Sequence, residues 1–197
     1  MAVSGVPTGR LFSGYILPGV ETPGYYQLFR DKELSPVMER VLIIAYGNPL
    51  RSDDGVALRV AEQLEAKFSA DDVEIVRPQQ LGPELAEAAS RSRLVIFVDA
   101  AAGTGEPGAI QIRELSAGGS EMKASVFGHA IPPVAVIGLA RQLYGASPKA
   151  YSATVVGESF EHGELLSSIV NAAVPLIVER IRELIVDEQA GEANLSG

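Results

Sequence analysis

From Val41 onward, short runs of β-branched and apolar residues alternate with amphipathic segments of helical length, and few architectures accommodate that rhythm. VLIIAYG (41–47), VEIVRP (73–78), RLVIFVD (93–99) and AYSATVVG (150–157) read as strands. The first and third are apolar at nearly every position, as strands covered on both faces must be. Between them, GVALRVAEQLEAKF places Val56, Val60, Leu64 and Phe68 four apart on one helical face. A second helix is expected from Pro83, a third over 132–145 closed by Gly145, and a last one from about Glu164 to Asp187. AIQIREL (109–115) alternates with period two and suits an antiparallel edge strand. Strands separated by helices imply an α/β three-layer sandwich, with a twisted, mostly parallel sheet between helices.

The chain is 197 residues long, enough for one complete core. Residues 38–187 are expected to form that single α/β domain, followed by a polar tail over 188–197. The first 37 residues hold Phe12, Tyr15, Tyr25, Tyr26 and Phe29 together with four prolines, but no sustained helical or strand period. They read as an irregular extension; the alternative is that translation starts at Met38. A formal net charge of −9 would repel a phosphate backbone, so nucleic acid is not an expected partner. No apolar run is long enough to span a bilayer, and no basic-then-apolar leader opens the chain. The absence of cysteine excludes disulfides, thiolate metal sites and a cysteine nucleophile. A cytoplasmic location and a monomer are the expectations.

Ligand sites in open parallel sheets form at the carboxyl ends of the strands, where the strand order reverses. The first strand runs into GNPLRSDDG, with Asp53 and Asp54, and the third runs into Asp99 at VIFVDAAAG. His129, in FGHAIPP, precedes the next helix. Singly each has an ordinary structural explanation. Asp53 and Asp54 stand where carboxylates cap a helix, Asp99 could brace a loop, and an isolated loop histidine is usually a surface residue. Together, two carboxylates and an imidazole suit a borderline divalent metal such as nickel or zinc, with positions left open for substrate or water. His162 is the competing imidazole, but Glu158, Glu161 and Glu164 around it point to a solvated loop. Ser159 in GES lacks the second glycine of a nucleophile elbow, and the first strand–helix turn lacks GxGxxG.

GNPLRSDDG, VDAAAG followed by EPGAI, GHAIPP before a helix, and TVVGESFEHGELLS before the last helix occur in an order that resembles the hydrogenase maturation endopeptidases. The resemblance spans Arg40 to about Leu184, and QQLGPELAEA (79–88) looks like a segment of one branch of that family. It implies removal of a C-terminal peptide from the precursor of a nickel–iron hydrogenase large subunit after nickel insertion. It also implies that Asp54, Asp99 and His129 contact the metal and serve catalysis. Nickel is then carried by the substrate protein, and no organic cofactor is needed. Asp53 is left to cap or to order the turn so that Asp54 faces the cleft.

This chain departs from the family pattern at Ala57, often glycine there, and at Gly128, Pro132 and Pro133 around the histidine. Arg77 stands where some members carry an acid. Two other readings stay open: a non-catalytic docking or chaperone module for the metal-loaded precursor, and a small-molecule hydrolase on a similar scaffold.

Overall fold

The computed structural model describes residues 40–103, 105–115 and 131–195, with side chains as far as residue 191. Five strands form one sheet: β1 (Val41–Ala45), β2 (Val73–Val76), β3 (Leu94–Ala101), β4 (Ile110–Glu114) and β5 (Lys149–Val156), in the order β2-β1-β3-β5-β4. All neighbours are parallel except β4, which runs antiparallel to β5 at the edge. The α/β class, the mostly parallel sheet and the antiparallel edge strand are those expected from the sequence.

Among the described residues, four helices cover the sheet: α1 (Val56–Glu65), α2 (Leu85–Ser90), α3 (Pro133–Tyr144) and α4 (Ser168–Leu195). Alternation along the strands sends side chains to opposite faces. Val41, Ile43 and Ala45 of β1 join Val60 and Leu64 of α1 and Ile177 and Ile181 of α4 in one core. Leu42 and Ile44 join Phe97, Leu85 of α2 and Ile137 of α3 in the other. Every residue of β1 is therefore buried, which accounts for its uninterrupted apolar run. Val56, Val60 and Leu64 are buried as the four-residue spacing predicts, and Phe68, just beyond the helix, packs against the same core.

The last helix differs from expectation at both ends. It starts at Ser168, four residues later than read from the sequence: the Ser167 amide donates to Asp53 at 2.7 Å and its hydroxyl accepts from the Val170 amide at 3.4 Å at the head of the helix. At its other end it continues to Leu195, so most of the segment read as a polar tail is helical. Glu188 helps to anchor that extension. Its carboxylate accepts from Lys149 Nζ at 2.8 and 2.9 Å and from the Tyr151 hydroxyl at 2.7 Å, fastening α4 to β5. Among the described residues, no helix is long and apolar enough to cross a membrane.

From β1 the chain moves outward through α1 to β2, whereas β3 lies on the other side of β1. The order thus reverses between β1 and β3, opening a crevice at their carboxyl ends. β3 is paired with β1 only as far as Ala45↔Val98, but with β5 as far as Ala101↔Val156. Asp99 stands one residue past the end of that β1 pairing, on a backbone still held by β5. Replacing Glu188 with alanine should lower the unfolding free energy by about 1 kcal/mol, since the contact is half exposed and only the Tyr151 bond is partly sheltered. Urea denaturation measures this, and an unchanged midpoint would show that the helical extension does not bear on stability.

Candidate active site

The first loop is built from GNPLRSDDG as a series of short-range bonds. The amide of Tyr46 donates to the Val98 carbonyl at 3.1 Å, the last tie of this segment to the sheet before the chain turns. Gly47 has φ +146°, and a Cβ there would lie 2.1 Å from the Asp54 carbonyl oxygen, so both the conformation and the space require glycine. Asn48 folds the next residues: its side-chain oxygen accepts from the Leu50 amide at 3.0 Å and its carbonyl from the Arg51 amide at 3.0 Å. A one-turn 3-10 helix, Ser52–Gly55, then carries both aspartates into α1.

The two neighbouring carboxylates point to different surroundings. Asp53 is wholly buried, yet it caps neither the 3-10 turn nor α1. Its carboxylate instead accepts backbone N–H bonds from Glu158 and Ser159 at 2.9 Å each and from Ser167 at 2.7 Å. Burial pushes its pKa upward, but these backbone donors outweigh burial and hold it below the ordinary aspartate value. The donors all belong to the segment between β5 and α4, more than a hundred residues downstream.

Further bonds join the same two segments. The Ser52 amide donates to the Gly163 carbonyl at 2.7 Å, the Asp53 amide to Ser159 at 3.1 Å, and the Gly163 amide to Leu50 at 2.9 Å. The Arg51 guanidinium adds bonds to the Phe160 carbonyl at 3.2 and 3.3 Å. Ser52 adopts φ +48°, an uncommon conformation for a residue with a Cβ, within this doubly anchored stretch.

Asp54, by contrast, lines an open cleft of about 430 Å³ together with Asp99. One Asp54 oxygen accepts from the Asn48 amide at 2.9 Å, fixing the side chain across the loop. Asp99 accepts from the Ala100 amide at 2.7 Å and from the Tyr46 hydroxyl. Burial pushes the Asp99 pKa up to about 7; the Tyr46 and Ala100 bonds oppose that rise, and the charge of Asp54 adds to it. Tyr46 is itself driven upward, first by burial and then by the carboxylate beside it, so it remains a neutral donor. Gln79 and Gln80 supply amides to the cleft, while Leu81, Ile131 and Phe160 supply apolar walls.

The structure thus brings Asp54 and Asp99 to one cleft, as the strand-end rule anticipated. His129 lies outside the described residues; Ile131, two positions later in the sequence, lines the cleft and donates its amide to the Leu81 carbonyl at 3.3 Å. Among the described residues, no group of three or more His, Cys, Asp or Glu could hold a metal ion. His162 is exposed and does not line the cleft. Tyr46, Arg51 and Phe160 were not singled out as cleft residues from the sequence. Tyr46 reads as the end of a strand, and nothing local shows that 157–163 folds back onto the first loop.

An open α/β sheet with two carboxylates at its switch point, and no nucleophile elbow beside them, is suited to acid–base or cation-directed chemistry. Solved structures that share the fold include hydrogenase maturation endopeptidases. HybD from Escherichia coli has 27% sequence identity and a TM-score of 0.60, over 76% of this chain and 93% of that one. An Escherichia coli endopeptidase solved in solution has 27% identity and a TM-score of 0.56, over 72% and 89%. The HycI maturation protease from Thermococcus kodakarensis, at 24% identity, has a TM-score of 0.59 over 75% and 92%. No protein-family model matches the sequence, and no curated protein matches it. The resemblance first carried by short motifs therefore extends to the architecture of the domain.

The two aspartates should separate in their responses. Asp53→Asn turns an amide NH₂ toward backbone donors and should cost about 2–3 kcal/mol in urea denaturation, whereas Asp54→Asn should cost less than about 1 kcal/mol. The folded pKa of Asp53 is depressed, so its stabilisation is present above the unfolded value of about 4 and is lost as pH falls through the folded value. Asp53→Asn should accordingly flatten the acid limb of the stability–pH curve. Asp99 has the opposite sign: its raised pKa makes stability decline as pH rises from about 4 to about 7, and Asp99→Asn should remove that decline. Urea midpoints collected from pH 3 to 8 test both, and parallel curves for all three proteins would refute the assignments.

Proposed function

We propose that this chain is an endopeptidase that removes a C-terminal peptide from the precursor of a nickel–iron hydrogenase large subunit after nickel insertion. The observation that carries this reading is the placement of Asp54 and Asp99 in one cleft on a scaffold similar to maturation endopeptidases. Nickel belongs to the substrate in this reading, and Asp54, Asp99 and His129 recognise it as the sign of completed assembly.

Carboxylate oxygens and a neutral imidazole are suitable ligands for such an ion. A cation brought by the substrate would offset the mutual repulsion of Asp54 and Asp99 and favour the ionised form of Asp99. Tyr46 would hold the Asp99 carboxylate in orientation through its hydroxyl. Hydrolysis adds water to the peptide carbonyl and breaks the C–N bond, and the departing amine takes up a proton. The same cleft offers the amides of Gln79 and Gln80 to a peptide backbone.

Incubating the purified chain with nickel-loaded precursor should shorten the precursor by the mass of a C-terminal peptide, while nickel-free precursor should remain intact. Asp54→Asn, Asp99→Asn and His129→Ala should each reduce the rate on the order of 10²-fold or more. Mass spectrometry of the precursor gives the readout. Retained binding with unchanged mass would favour the docking-module reading, and equal cleavage with and without nickel would remove the metal-recognition role.

A further inference from the structure

A second depression, of about 310 Å³, adjoins the acid cleft and shares Gly47 and Gln79 with it. Its walls are largely apolar, formed by Pro49, Leu50, Leu58 and Pro78. Among the described residues, the only charged group lining it, Arg77, is engaged by Glu65 at 2.6 Å. Leu50 is 47% exposed, although its backbone is pinned on both sides: its amide donates to Asn48 and its carbonyl accepts from Gly163. An exposed leucine on an anchored backbone loses little freedom when covered, so its burial is available to a ligand with a small ordering cost.

The boundary between the two depressions is suited to a polypeptide. Gly47 cannot carry a side chain, for the steric and conformational reasons already given, so the divide there is bare backbone. Beside it, Gln79 offers both a donor and an acceptor, the complement of a peptide group. A strand-like peptide advances about 3.3 Å per residue and turns alternate side chains to the same side. A segment whose scissile bond lies at Asp54 and Asp99 would therefore cross Gly47 and set a side chain over Leu50 within a few residues of the cut.

We infer that the Leu50–Leu58 depression is a specificity subsite for an apolar side chain of the substrate, bound as an extended segment continuous with the acid cleft. This rests on the proposed endopeptidase reading, and its test has one arm independent of cleavage. The isotope-labelled full chain is titrated with a blocked Gly/Ser octapeptide carrying a single leucine, and its NMR shifts are followed. Saturable shifts at Gly47, Leu50, Leu58 and Gln79 are expected. They should weaken at least tenfold when the peptide leucine is replaced by aspartate or the protein carries Leu50→Asp, and persist with Leu50→Met. Leu143→Asp, at a leucine 62% exposed at the end of α3, should change nothing. Equal shifts for the leucine and aspartate peptides, or indifference to Leu50→Asp, would overturn the subsite.

In the second arm, Leu50→Asp should raise KM for nickel-loaded precursor about tenfold with kcat changed less than twofold. An unchanged KM would overturn the inference while leaving the endopeptidase reading intact. Failure of the unaltered chain to cut any precursor would instead count against that reading, with the peptide titration still deciding the subsite.

Discussion

The site depends on a carboxylate that does not face it. Asp53 is buried with no cation paired to it among the described residues, and three backbone N–H groups from the segment between β5 and α4 satisfy it. A buried charge is costly unless its hydrogen-bonding capacity is met, and charge-assisted bonds to N–H groups are among the stronger bonds a protein makes. The arrangement therefore specifies one relative placement of two loops that are remote in sequence. It also explains why Phe160 forms a wall of the cleft and why Arg51 stays at the rim.

Around that clamp the remaining parts have separate tasks. The sheet fixes Asp99, whose backbone is paired with Thr154 of β5. Tyr46 leaves the sheet at Val98 and turns its hydroxyl back to Asp99, while Asn48 holds Asp54 across the loop. The result is two carboxylates with unequal surroundings. Asp99 is buried enough to resist ionisation, and Asp54 contributes to that resistance. An approaching cation would meet a pair whose repulsion it can relieve, a physical basis for selecting a metal-bearing partner.

The sequence made the architecture legible where burial imposes a pattern. β1 is apolar throughout, and β3 is apolar as far as Val98, because both faces are covered there, while the residues of β4 alternate apolar and polar at the sheet edge. The strand-end rule pointed to Asp99 and to the loop holding Asp53 and Asp54, and the family resemblance chose Asp54 between those two. Local signals failed where partners are remote. Asp53 looks like a helix cap in the sequence, and its actual donors cannot be found by reading its neighbours. The late start of α4 has the same origin, since Ser167 gives its amide to Asp53. The helical course of 188–195 was missed because the stretch is polar and contains Gly191, while the tie from Glu188 to Lys149 and Tyr151 is tertiary.

The unequal support of the two cleft carboxylates has a dynamic consequence. Asp99 moves with a strand that is hydrogen-bonded on both sides, whereas Asp54 sits on the one-turn 3-10 helix before α1, in a segment fastened to the loop after β5. Opening that fastening requires far less structure to be lost than unfolding the sheet. Local fluctuation can therefore change the separation of the two acids while the domain stays folded, so the competence of the cleft and the integrity of the fold are set by different free energies.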